Sequence, residues 1–452
     1  MLLILFLYLA LGLQYARLTP AWQVPDEPAH YNVIRQIAQA GRLPRLEAGD
    51  YDQAYLERLT GARFPPDLPI DRVQYQDYQP PLYYLLAAPV FLLSGGSLAA
   101  LRLFSLALGA GVIVFTYLAV RAVTGSPAPG AHGERETSAL PSLAAGFTAF
   151  IPQHMAMLAG VNNDALAELL IALGLWLALR GLRAGRLNPW AAGLVLGLAF
   201  LTKVQAYLLA PVLVLAVGLN AWRGGRAAWR AGLRTAVILL GVGLALGALY
   251  WGRNWIVCGP WDLVCGRWHN QIVVGQPTTA EWITRYGWWG TDASLLNRFL
   301  VFTFQSFWGQ FGWMAVVMDR RVYLALLAFT AALAVGALGA ARGWRAWPAA
   351  GRTGLLVLGA SALLSLAVYL YYNMEFVQHQ GRYLFPALVP LSLAAAAGLR
   401  QWGRWLRALV ERFSPSGPLP GLTEAAVPAL ALAGLAGLCW LALYRFILPA
   451  LA

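Results

Sequence analysis

Apolar runs too long for any globular core recur along this chain, at residues 97–123, 139–160, 164–182, 189–222, 233–255, 320–342, 353–373, 382–400 and 425–448. A helix needs about 20 consecutive apolar residues to cross a bilayer. Backbone groups in hydrocarbon must also find their partners within the segment, so such runs read as helices. Charged residues make up only 12% of the chain, about half the share found in soluble domains. The expected fold class is therefore all-α, a polytopic membrane protein of about eleven transmembrane helices. Residues 1–18 read as a retained first helix, because they lack the basic leader and cleavage site of a signal peptide. The run 189–222 is long enough for two short helices, broken around Thr202-Lys203.

The net charge of +13 comes from 33 basic residues, all but one of them arginine. About half of the arginines sit in short loops at Arg121/Arg135, Arg180/Arg183/Arg186, Arg223 to Arg234, Arg342 to Arg352 and Arg400 to Arg412. That spread fits topology determinants and excludes a basic nucleic-acid groove. The positive-inside rule puts all five loops on one side if residues 80–93 lie in the interface without spanning. The polar loops at 20–79, 256–297 and 374–381 then face the other side. The first of these carries nine of the twenty acidic residues and is too long for a turn, so it should fold, with amphipathic interfacial helices. Cys258 and Cys265 bracket an outer segment, CGPWDLVC, open to a disulfide or to two free thiols.

Four polar clusters face that side. Pro25-Asp26-Glu27-Pro28-Ala29-His30 opens a helix, placing Asp26 and His30 on one face. Asp26 there is either a base, ionised at a helix N-terminus, or a simple cap. Val161-Asn162-Asn163-Asp164 sits at a junction of two helices, where capping is again the plainer alternative. Lys203 is the only lysine, set between apolar segments where a buried cation is costly and usually paired or functional; a compact ammonium suits a phosphate or a carboxylate, and a lysine snorkelling from a helix end is the plainer alternative. Finally, Glu375 to Tyr383 enters a helix, with Arg382 placed either to hold a phosphate in a bidentate fork or to anchor with Tyr383 at the interface, and Gly381 expected to admit a ligand close to the backbone. The aromatic stretch Phe302 to Met314 is expected either to lie along the interface or to pack.

Taken in order, these segments resemble the GT-C-type integral-membrane glycosyltransferases, the superfamily of protein O-mannosyltransferases and lipid A aminoarabinose transferases. The shared order is one helix, an Asp-Glu pair opening a long outer loop, the segment Gln79-Pro-Pro-Leu-Tyr-Tyr, an Arg102-containing helix and a second outer acid, Asp164. PDEPAH, FWGQFGW and QGRYLFPALVP are similar to a bacterial branch of that superfamily. The resemblance spans residues 1–400 as a transmembrane catalytic module, leaving 401–452 as a cytoplasmic loop and final helix.

The resemblance implies transfer of a sugar from a polyprenyl-phosphate carrier to an acceptor hydroxyl, with inversion, at the outer face of the plasma (inner) membrane. Asp26 maps onto the usual base, with Glu27 beside it as the second catalytic acid. His30, Gln79, Asp164, Lys203, Gln380, Arg382 and Tyr383 are the expected substrate contacts. Asp26 and Asp164 would also be the ligands of a divalent cation, Mg or Mn, if one is used. Without the large soluble C-terminal domain that some relatives carry, acceptor recognition is expected to fall to the membrane part and the first loop, and a lipid or glycan acceptor is expected. A transporter or flippase of lipid-linked glycans is the alternative function. It predicts ionisable residues near mid-bilayer and inverted repeats, whereas the candidate residues here gather toward one face.

Overall fold

A computed structural model describes residues 1–125, 139–343, 347–413 and 419–451; Arg135 and Arg345 of the predicted inner loops lie outside them. Among the described residues, eight helices are long and apolar enough to cross a membrane. They are Leu98–Thr124, Asp164–Ala184, Val204–Arg223, Arg226–Val257, Arg320–Ala341, Ala349–Glu375, Gly381–Glu411 and Leu422–Leu451. Shorter apolar helices at Leu2–Leu18, Leu140–Ala149 and Pro189–Phe200 occupy the other predicted spans. The protein is all-α and polytopic, as its apolar runs require.

The run 139–160 departs from expectation. It forms two helices, Leu140–Ala149 and Pro152–Leu158, because Pro152 has no N–H to continue the first and its fixed φ suits a new helix start. The run 189–222 does break where predicted. Lys203 is extended (φ −164°, ψ 140°), and the N–H of Leu82 donates to the freed Leu201 carbonyl at 2.8 Å. That bond ties the start of helix Leu82–Leu93 to the break. This helix buries Tyr83, Tyr84 and Phe91 and is too short to span.

Two apolar cores organise the bundle. One joins Leu98–Thr124 and Asp164–Ala184 with the first-loop helix Glu27–Ala40; the other joins Leu2–Leu18, Pro152–Leu158 and the C-terminal helices. Helices Arg320–Ala341 and Leu388–Glu411 meet through Gly336 and Gly398, where an added Cβ would strike the facing backbone. The first loop has a small core of its own around Leu59, Phe64 and Val73, and Asp52 caps its helix Gln53–Gly61 through the Tyr55 N–H at 3.0 Å. A disulfide joins Cys258 to Cys265. The aromatic segment lies inside the protein, not along the interface: Trp308 and Phe311 are buried. A two-stranded hairpin pairs Gln310 with Val317 and Phe311 with Val316.

Candidate active site

Asp26 precedes helix Glu27–Ala40, but its side chain does not cap that helix, and its backbone is left-handed (φ 67°). A non-glycine residue held there is uncommon and costs energy unless its surroundings fix it. Two long-range bonds do so. Tyr75 donates to Oδ1 at 2.7 Å, and Arg382 donates to Oδ2 at 2.7 Å. Burial pushes the carboxyl's pKa up, but the Arg382 charge and the two hydrogen bonds outweigh it and hold Asp26 below the usual carboxylate range. The group is still 22% exposed, so a small hydroxyl can reach it.

A second ion pair faces the first. Helix Asp164–Ala184 starts at Asp164, and Lys203 at the break donates to Asp164 Oδ1 at 2.5 Å and to Asn163 Oδ1 at 3.0 Å. The two pairs share one electrostatic environment: Asp26, Lys203, Asp164 and Arg382 all act on His30. His30 itself is buried, which drives its pKa down to about 3 against the opposing charge of Asp26. The ring is neutral, and Nδ1 is 2.8 Å from the Tyr84 hydroxyl.

Arg382 is nearly buried, with one terminal nitrogen on Asp26, the other 3.8 Å from Met157 Sδ, and Nε without a partner. Its guanidinium carbon lies 5.3 Å from the centre of the Tyr383 ring. A buried donor left unpaired in a native site calls for an explanation, and an incoming anion supplies one. Gln79 accepts from Asn163 at 3.4 Å and so borders the Asp164 pair. Gln380 donates to Gln378 at 2.8 Å and leaves its own oxygen buried and unpartnered.

Two sequence expectations change. Glu27 is fully buried and accepts four donors: Arg102 Nε at 2.7 Å, Arg102 Nη2 at 2.6 Å, and the N–H groups of Trp22 at 3.0 Å and Val161 at 3.2 Å. All its lone pairs are occupied, so it fixes the first loop to the bundle and is not a second catalytic acid. Gly381 serves packing, not ligand approach, because a Cβ there would strike the backbone of Thr303 and Phe307 on helix Leu295–Trp308.

Beside the site a cleft is lined by Asp77, Gln79, Tyr84, Tyr250 and Arg253. Sequence reasoning passed over Tyr75, Asp77 and Arg253, which stand in a polar loop and a helix end with no local signature. Gln36 donates to both Asp77 oxygens, at 2.8 and 3.1 Å. Burial nevertheless pushes the Asp77 pKa up to about 7. A carboxyl raised on folding withdraws stability as pH climbs from its unfolded value through 7. Asp77→Asn is therefore expected to raise the unfolding temperature at pH 8 and to leave it nearly unchanged near pH 4, as thermal melts would show.

No group of three or more His, Cys, Asp and Glu side chains among the described residues is arranged to hold a metal ion. Asp26 and Asp164 each face a cation.

The model of the dolichyl-phosphate-mannose-protein mannosyltransferase family matches residues 78–251. The crystal structure of ArnT from Cupriavidus metallidurans bound to undecaprenyl phosphate superposes with a TM-score of 0.51 at 16% identity, covering 100% of this chain and 73% of that one. Its apo state gives 0.52 at 17% identity with the same coverage. The chain has the GT-C-type fold of integral-membrane glycosyltransferases. The S. cerevisiae protein O-mannosyltransferase complex bound to its sugar donor is similar over 57% of this chain and 34% of that one, with a TM-score of 0.39 at 18% identity. No curated protein matches the sequence. Within the GT-C frame the two ion pairs lie where the first loop meets the helix ends, with the apolar bundle beneath them.

Proposed function

We propose that this protein is a membrane glycosyltransferase that moves a sugar from a polyprenyl-phosphate carrier to an acceptor hydroxyl, with inversion, at the outer face of the plasma membrane. The observation that carries this reading is the convergence of an accessible carboxylate, Asp26, with two cations, Arg382 and Lys203, at one end of an apolar bundle. The ArnT structure holding undecaprenyl phosphate supports a lipid-phosphate donor for this chain too.

The chemistry follows from the charges. A phosphate-linked sugar already has a good leaving group, so the protein must supply a base for the incoming hydroxyl and cations for the departing phosphate. Arg382 and Lys203 meet the phosphate, the first through its unpartnered Nε. As the phosphate draws Arg382 away, Asp26 loses the charge that depresses its basicity and becomes the stronger proton acceptor. Asp26 then takes the hydroxyl proton while the acceptor oxygen bonds to the anomeric carbon and the carrier phosphate leaves. Asp164 holds Lys203 in register, and Gln79, Gln380 and Tyr383 border the sugar. The carrier tail lies among the apolar helices, and a lipid or glycan supplies the acceptor. No step runs through a metal.

Radiolabelled polyprenyl-phosphate sugars, offered singly to the protein in nanodiscs with and without EDTA, test this. Passage of label from carrier to a new product, unaffected by EDTA, is the expected result. Donors that bind and stay intact would point to a lipid-linked glycan transporter instead. Lys203→Met is expected to lower kcat/KM for the carrier by about 10- to 100-fold, the loss of one charge-assisted hydrogen bond to phosphate, as read from rates across donor concentrations.

A further inference from the structure

Below the two ion pairs lies a buried polar pair that the mechanism above does not use. Glu168 stands one helical turn from Asp164, on the same face of helix Asp164–Ala184. His154 of helix Pro152–Leu158 places Nε2 2.7 Å from Glu168 Oε2 and Nδ1 2.8 Å from the Thr148 carbonyl oxygen. A carbonyl only accepts, so Nδ1 carries a proton. The Nε2–Oε2 bond therefore holds one further proton, on the imidazolium or on the acid, and the pair is neutral either way. Both side chains are buried. An ionisable pair at this depth is costly and calls for a function.

Its contacts supply one. The His154 ring meets Phe385 edge-on, with centroids 5.0 Å apart, and Phe385 belongs to the turn Gly381–Ala387 that carries Arg382. His154 also shares its short helix with Met157, which touches Arg382. Glu168 shares its helix with Asp164, the partner of Lys203. Thr148, which anchors His154, is bonded in turn to Ser392 at 2.6 Å, one helix further on. One buried pair thus bridges the element that aims Arg382 and the element that aims Asp164.

We propose that His154 and Glu168 are positioning residues, which set the spacing between the Asp26–Arg382 and Asp164–Lys203 pairs. This rests on the transferase reading for its kinetic consequence but not for its structural one. Each cation still meets the carrier phosphate when the bridge is cut, so carrier binding survives. The alignment of base, sugar and phosphate does not, and misplacements of about 1 Å cost on the order of 10²-fold in rate.

The test compares Glu168→Leu with Glu168→Gln, whose amide can donate to His154 Nε2 and keep the bridge without a charge. Hydrogen–deuterium exchange is measured on both variants, together with kcat and carrier KM. In Glu168→Leu, exchange should quicken at residues 152–158 and 381–387 but not at 279–286, while kcat falls at least tenfold and KM stays within threefold. Glu168→Gln should resemble the wild type in exchange and retain at least half of kcat. If Glu168→Leu does not fold, Phe385→Leu loosens the same bridge from its other side, and the same local exchange and kcat-selective loss are expected. Unchanged exchange at 381–387 would overturn the proposal. So would a Gln variant as impaired as Leu, since a proton or charge on Glu168 would then be what the reaction needs. A wild type that transfers no sugar would count against the transferase reading alone, because the exchange arm still decides whether the pair positions the site.

Discussion

Arg102→Leu is expected to destabilise the protein by about 3–5 kcal/mol, the largest effect of any single substitution outside the reacting groups. The reason lies in what it leaves behind. Arg102 gives Glu27 two hydrogen bonds and spends its remaining donors on the carbonyls of Ala16, Thr19 and Pro20, at 3.2, 2.6 and 3.0 Å. Without it, a fully buried carboxylate keeps only two backbone donors, and three carbonyls at the end of the first helix lose theirs. Removing both charges together avoids the uncompensated carboxylate, so Arg102→Leu combined with Glu27→Gln should be milder than Arg102→Leu alone. Thermal melts of the single and double variants in detergent measure this coupling. Additive losses would show that the pair does not act as a unit.

That pair also marks how far the sequence could be read. The helical, polytopic fold follows from apolar runs alone, because bilayer thickness leaves few alternatives. Asp26, Asp164, Lys203 and Arg382 were visible because each interrupts or borders an apolar run, where a charge is expensive. Their partners were not. Asp26 and Arg382 are 356 residues apart, and Glu27 and Arg102 are 75 apart; no local pattern encodes such pairings. Adjacent acids in the sequence suggested one shared role, yet Asp26 is held open to solvent while Glu27 is buried against Arg102. Glu168 was legible in principle, as an acid inside an apolar helix four residues after Asp164, and was passed over. Gly381 was misread because a glycine beside an arginine fits a ligand cradle and a tight helix crossing equally well; only the backbone of Thr303 and Phe307 decides between them.

The second large effect concerns Asp26. Asp26→Asn keeps the volume of the side chain and still accepts the hydrogen bond from Tyr75 or Arg382 through its remaining oxygen, so the first loop should stay in place. It removes the proton acceptor. General-base catalysis contributes about 10²–10⁴-fold, and a loss of that size in the rate of transfer is expected, with carrier affinity unchanged or increased because Arg382 is freed from its carboxylate. In a transporter the same substitution would alter flux and would break no bond in any donor. A purely structural Asp26 would instead show itself as a lowered unfolding temperature with proportionate loss of binding.

Single-turnover transfer by wild type and Asp26→Asn, with carrier binding measured on the same nanodisc preparations, decides between these outcomes. Wild type should convert bound donor to product, while the variant binds the carrier at least as tightly and converts it at least a hundredfold more slowly. Product formation by Asp26→Asn at close to the wild-type rate would contradict a general-base role for Asp26.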